Sequence, residues 1–154
     1  PHFARVLLQK GHVADIQDAF DKYLGHSGKA YVPRHEPSTT ETVERIRAGG
    51  GVAALAHPAR LWRERRDLVD LLVRELVEHG LGGIEVFHSD HTPDDARLLL
   101  GITESYGLAA TGGSDFHGEA KPGVDLGTGH AGNLSIPLEV LERLRASAAH
   151  RPSG

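Results

Sequence analysis

The sequence has no cysteine, no methionine and no long apolar run. Without cysteine the chain forms no disulfide, offers no thiolate to a metal and has no thiol nucleophile. Such a composition fits a reducing compartment, and a cytoplasmic location is expected. No stretch approaches the ~18 consecutive apolar residues of a membrane span, and the start lacks the layout of a signal peptide. Positive charge is not in excess either: 17 Lys and Arg stand against 21 Asp and Glu, a formal charge of −4. General attraction to nucleic acid or to an anionic membrane is therefore not expected, although a local basic pocket is compatible with that balance. Because the chain opens on Pro1 and carries no methionine, it is expected to be a fragment or a processed piece of a longer protein.

What is present is an ordinary globular composition with one excess. With 39% apolar and 25% charged residues over 154 positions, the chain is one domain, or part of one, long enough to bury a real core. The 11 histidines are many for this length and are not clustered as a purification tag would be. Residues 1–32 read as a helical subdomain. In it Phe3, Val6, Leu7 and Leu8 form an apolar stripe stopped at Gly11, and a second helix follows over about 14–24. Residues 33–154 then alternate. Ser38 and Glu41 carry a capping-box signature for a helix to about Ala48. Short apolar strands are expected over 52–56, 84–87 and 108–111, and helices over 67–79, 93–106 and 137–148, with a glycine-rich loop before the last helix. That rhythm is parallel α/β architecture, barrel-like or open.

In parallel α/β folds functional groups gather at the carboxyl ends of the strands. The third strand runs into Thr111-Gly112-Gly113-Ser114-Asp115-Phe116-His117-Gly118, where two glycines permit a sharp turn and leave room for a close-lying group. Asp115 and His117 then offer a carboxylate and an imidazole, a pair that suits zinc, manganese or iron. Taken alone the pair is an ordinary decorated turn. The first strand, however, ends at Ala56-His57-Pro58 and the second at Phe87-His88-Ser89-Asp90-His91. Three strand ends bearing metal-competent residues on one rim predict a metal site. His57, held by the proline after it, is an expected ligand. His88 and Asp90 fit a solvated loop as well as a functional role, and His91, deeper in that loop, can reach a substrate phosphate. His2 and Arg5, a helical turn apart, can share a face with an anionic ligand, and Lys29 and Arg34 can add positive charge. A solvated surface explains those four equally well. His12, His26, His35, His79, His130 and His150 read as surface.

Pro1-His2-Phe3-Ala4-Arg5, Lys29-Ala30-Tyr31-Val32-Pro33, Ala56-His57-Pro58, Gly83-Ile84-Glu85-Val86 and Gly112-Gly113-Ser114-Asp115-Phe116-His117-Gly118 together resemble the PHP (polymerase and histidinol phosphatase) family of metal-dependent phosphoesterases. The resemblance runs over the whole chain and is nearest to the TrpH/YciV-like branch. It implies the C-terminal half of a distorted (β/α)7 barrel, with two or three divalent ions (Mn, Zn, Fe or Mg) at the strand ends. It also implies that the complete protein uses a metal-activated water to hydrolyse phosphate from nucleotides or short 5′-phosphorylated oligonucleotides, 3′,5′-bisphosphonucleotides among them. By position, His57, Asp115 and His117 would each bind a different ion and form the catalytic set. His91 and Arg5 would neutralise the substrate phosphate. Residues 1–32 would be the helical insertion overhanging the site, with His2, Arg5 and Lys29 near the phosphate end of the substrate.

The family begins with His-x-His after its first strand and adds Asp, His, Glu and His ligands on later strands, and none of that segment is present here. Three ligands do not hold a polynuclear cluster, and three short parallel strands do not close a barrel. A missing N-terminal half, or a complementary or swapped chain, is therefore expected as a partner. Two other functions fit the same residues: a non-catalytic half-barrel that binds a partner or a nucleotide, and a different metal hydrolase of histidinol-phosphatase-like or amidohydrolase-like type.

Overall fold

The computed structural model describes residues 2–33 and 36–149. The expectations placed on Arg34, His35 and His150 fall outside them. The chain divides into two compact units, Pro1–Glu36 and Pro37–Gly154.

In the first unit α1 spans His2–Gln9, and α2, Ile16–Ala19, runs directly into a π-helical turn, Phe20–Leu24. Asp15 sets the start of α2 by accepting the Asp18 amide at 2.8 Å. The helix expected over 14–24 is thus shorter at its start and wider in its second half. The small core is Ala4, Val13 and Ala19, with Leu7, Tyr23 and Leu24 packed on it. Ala4 and Leu7 face inward, so Phe3 of the expected stripe is 79% exposed.

The second unit begins with α3, Thr39–Ala48, and its capping box is formed as the spacing predicts. The Glu41 amide donates to Ser38 Oγ at 3.1 Å and the Ser38 amide to Glu41 Oε2 at 2.7 Å. There follow β1 (Ala54–Leu55), α4 (Ala59–Glu64), α5 (Arg66–Glu78), β2 (Gly83–His88), α6 (Pro93–Tyr106), β3 (Ala109–Gly113), a 3-10 turn (Gly118–Ala120) and α7 (Leu138–Ala149). The three strands form a parallel sheet in the order β1-β2-β3. β1 is shorter than the expected 52–56 because Ala53 leaves the ladder, its carbonyl accepting the amides of both Gly82 and Gly83. The α4 helix has no counterpart among the expected elements; it starts where the Trp62 amide donates to the Pro58 carbonyl at 3.0 Å.

β2 lies at the centre of the sheet, pairing with β1 at Ile84 and with β3 along its length. Ile84 and Val86 are fully buried, packed in one cluster with Val43 of α3, Val69, Val73 and Leu76 of α5 and Leu99 of α6. The inward positions of α5 fall at i, i+4 and i+7, the apolar face of an amphipathic helix. Gly112 continues β3 rather than ending it. A Cβ there would lie 2.7 Å from Phe87 Cβ and 2.8 Å from the Phe87 carbonyl oxygen, so the glycine is needed for close approach to β2. The register shifts between Glu85 and Phe87, a bulge one pleat before His88. Among the described residues no helix is long and apolar enough to cross a membrane.

Candidate functional site

All three strands deliver polar residues past their carboxyl ends in the second unit. At the end of β1, Glu85 of β2 reaches across and its Oε2 accepts the His57 amide at 2.6 Å. His57 is held at φ 33 and Asp115 at φ 56, two of the three non-glycine residues with positive φ among those described. Non-glycine residues in that region are uncommon and collect at functional sites, where the surroundings hold them. The ends of β2 and β3 are tied together beneath the rim: Ser89 Oγ donates to the Ser114 carbonyl, and both serines are buried.

At the centre is His88, whose side chain is wholly buried. The Asp90 amide donates to its Nδ1 at 3.0 Å, so in the neutral ring the proton lies on Nε2. Nε2 has no hydrogen-bond partner and lies 3.9 Å from Asp115 Oδ2. Burial holds the imidazole below its usual pKa. His91 is the mirror case. Its Nδ1–H donates to the Val86 carbonyl at 2.8 Å, leaving a buried and unpartnered Nε2 as an acceptor. The His88 and His91 rings are 5.0 Å apart, and His57 stands edge-on to His88 at 5.9 Å. A cavity of about 350 Å³ borders His88 and His91, with Thr92, Asn133 and Ser135 among its lining residues.

Cations surround the two carboxylates. Lys121 Nζ donates to Asp115 Oδ2 at 2.7 Å and to Asp90 Oδ2 at 3.3 Å. Arg60 Nη2 lies 3.4 Å from Asp90 Oδ2 and 3.6 Å from Asp115 Oδ2. His130 Nε2 lies 2.9 Å from Asp90 Oδ1 and its Nδ1 lies 3.0 Å from the Gly123 carbonyl oxygen. Lys121 holds the Asp115 carboxyl below the usual range. Burial works to raise the Asp90 carboxyl, but the bonds from His130 and Lys121 outweigh it and hold the group far below that range. The Lys121 pKa is raised in turn, by Asp115 first.

Of the residues nominated from sequence, the structure gathers Asp115 with His88 and Asp90; one potential ligand atom from each lies within 4.8 Å of the others. His57 is next to this group. His117 sits at its margin, its side chain 59% exposed, with Nδ1–H donating to the Asp115 carbonyl at 2.7 Å and Nε2 left free. That tautomer suits a ligand whose other nitrogen is fixed by a carbonyl. His2, Arg5 and Lys29 belong to the first unit. Arg60, Lys121 and Glu85 are site residues that sequence reasoning missed, and His130, expected on the surface, is bound to Asp90. Their partners lie 6 to 40 residues away along the chain, so no local spacing marks them.

The donor set fits a divalent cation. Two ionised carboxylates and an imidazole are of the right type, and the buried, orphaned Nε2 of His88 is a polar atom awaiting a partner. Ligation at that nitrogen would release its proton.

Parallel strands whose carboxyl ends bring carboxylates, imidazoles and cations together define an α/β domain with a candidate metal site at the strand ends. The chain is 36% identical over 126 residues to a 3′,5′-nucleoside bisphosphate phosphatase of Chromobacterium violaceum, covering 82% of this chain and 44% of that protein. It is 33% identical over 131 residues to the 5′-3′ exoribonuclease Rnm of Escherichia coli, covering 82% and 42%. A crystal structure from Bifidobacterium adolescentis, described as a metal-dependent phosphoesterase, superposes with a TM-score of 0.71 at 33% identity, covering 96% of this chain and 49% of that one. No family model matches the chain. These relatives agree with the resemblance to the PHP family, and the chain spans less than half the length of the curated relatives it matches.

The site sets a pH dependence. Asp90 and Asp115, with Asp95 beside them, have folded pKa values below the ordinary 3.8, and His88 one below 6.5. Below each ordinary value the unfolded chain binds more protons than the folded one, so stability there rises with pH. Stability is expected to fall in two stages on acidification, first below about 6.5 through His88 and then below about 3.8 through the carboxylates. Urea midpoints measured from about pH 8 to about pH 3 check this; a midpoint that rises on acidification contradicts it.

Proposed function

We propose that the complete protein is a metal-dependent phosphoesterase acting on nucleotides or short 5′-phosphorylated oligonucleotides, with 3′,5′-bisphosphonucleotides as one substrate class. In this reading residues 33–154 are the second half of a (β/α)7 barrel, residues 1–32 are a helical insertion, and the protein works in the cytoplasm. The observation that carries the proposal is the convergence of Asp115, Asp90 and the orphaned His88 Nε2 at the ends of adjacent parallel strands. Relatives named as a nucleoside bisphosphate phosphatase and an exoribonuclease support the substrate class.

Two or three divalent ions (Mn, Zn, Fe or Mg) would supply an activated water and stabilise charge on the phosphoryl oxygens. His57, Asp115 and His117 are the proposed ligands, with Asp90 and His88 adjoining them. His57 is presented by its amide bond to Glu85, and His117 by its bond to the Asp115 carbonyl. Arg60 offers a guanidinium to the phosphate at the rim. His91 Nε2 can accept from a substrate hydroxyl. His2, Arg5 and Lys29 are proposed to meet the phosphate end of the substrate.

The test is phosphate release from a 3′,5′-bisphosphonucleotide and from a short 5′-phosphorylated RNA, before and after chelation and after Mn²⁺ is restored. Loss on chelation with recovery on Mn²⁺ is expected; hydrolysis indifferent to chelation contradicts the proposal. The alternative is a non-catalytic half-barrel that binds a partner or a nucleotide. Metal analysis decides between them, since less than one ion per chain supports the second.

A further inference from the structure

Lys121 lies where an ion would have to enter. Its ammonium contacts Asp115 Oδ2 at 2.7 Å and Asp90 Oδ2 at 3.3 Å, bridging the two carboxylates of the candidate metal group. Carboxylates this close repel each other unless a cation lies between them; here Lys121 supplies the nearer one, and Arg60 Nη2 stands further off at 3.4 and 3.6 Å. A divalent ion binds a carboxylate oxygen at about 2.0–2.2 Å. It therefore cannot share the Asp90-facing side of Asp115 Oδ2 with the ammonium.

The loop that carries Lys121 is fastened independently of it. The Gly127 amide donates to Ser114 Oγ at 3.0 Å, Asn133 Nδ2 to the Ser89 carbonyl at 2.8 Å, and His130 to Asp90 at 2.9 Å. Vacating the carboxylates needs only rotation of a flexible four-carbon stem, not movement of the loop. We propose that Lys121 is an internal counter-cation that exchanges with the divalent ion: it bridges Asp115 and Asp90 in the metal-free protein and swings out as the ion enters. This rests on the metal-dependent reading of the site. It makes loading a competition, and it predicts two effects of opposite sign when the charge is removed. Metal binds more tightly, and the metal-free protein, left with only the longer Arg60 contacts across the two carboxylates, becomes less stable.

Calorimetric titration of Mn²⁺ into stripped protein tests this, with thermal melts in chelator alongside. Lys121→Gln is expected to bind the first Mn²⁺ about tenfold more tightly than wild type and to melt lower without metal, while Lys121→Arg stays near wild type. Equal or weaker Mn²⁺ binding by Lys121→Gln overturns the exchange and leaves the metal-dependent reading standing. Absence of Mn²⁺ binding by wild type removes both. Should Lys121→Gln not fold, amine acylation of wild type, read by mass spectrometry, serves instead. Faster labelling of Lys121 when Mn²⁺ is bound supports the exchange, and labelling unchanged by Mn²⁺ overturns it.

Discussion

Asp115→Asn is expected to lose divalent-ion binding and phosphoester hydrolysis together, by more than about a hundredfold, while the protein stays folded. Loss of a residue that merely supports a ligand costs about 10–100-fold in metal affinity, and loss of a charged ligand costs more. Asparagine is the right replacement because Asp115 sits at φ 56, a region that Asn tolerates and Ala does not. Asp115→Ala would mix the loss of charge with backbone strain. Calorimetry with Mn²⁺, phosphate release and the melting temperature check the three parts separately. Full hydrolysis by the variant after chelation would remove the carboxylate from the mechanism.

Ile84→Ala is expected to destabilise the fold by about 3 kcal/mol, in the usual range for truncating a buried aliphatic side chain. Ile84 has no exposed surface, pairs with Leu55 on one side and Ala110 on the other, and packs in one cluster with Val69, Val73, Leu76 and Leu99. Leu71→Ala, at a position 54% exposed on the same α5 helix, is expected to change stability by less than about 0.5 kcal/mol. Urea unfolding of both variants checks the contrast; equal losses would mean that the cluster around β2 is not the core.

Local chemistry made much of the fold legible. Ser38 with Glu41 announced a helix start, Pro93 announced another, and Gly107, at φ 64, ends α6 as a left-handed cap should. The parallel order followed from the alternation, and the strand ends pointed to the rim where Asp115, His88 and His57 stand. What stayed hidden depends on where a loop travels. Lys121 and His130 reach Asp115 and Asp90 only because the loop after β3 folds back over the rim, and Arg60 reaches them from a helix with no strong signal of its own. The Glu85 bond to the His57 amide joins two strands whose register cannot be read from either alone. Gly112 and Gly113 were legible as special, but as a turn. Their neighbour Phe87, on another strand, supplies the real reason at Gly112.

The loop between Gly118 and Leu134 carries one more consequence. A run rich in glycine suggests slack, yet this one follows a single path. Asp125 and Gly129 exchange both backbone bonds, the Leu134 amide donates to the Thr128 carbonyl, and the His130 amide to Asn133 Oδ1. Gly129, at φ 75, has no room for a Cβ beside Asn133 and Leu134. Glycine here does not loosen the chain; it admits a route that bulkier residues could not follow. The amides along that route should therefore be among the slower of the loop positions to exchange with solvent. Swapping its glycines for alanine in the hope of stiffening it would instead push the clasp off the rim it secures.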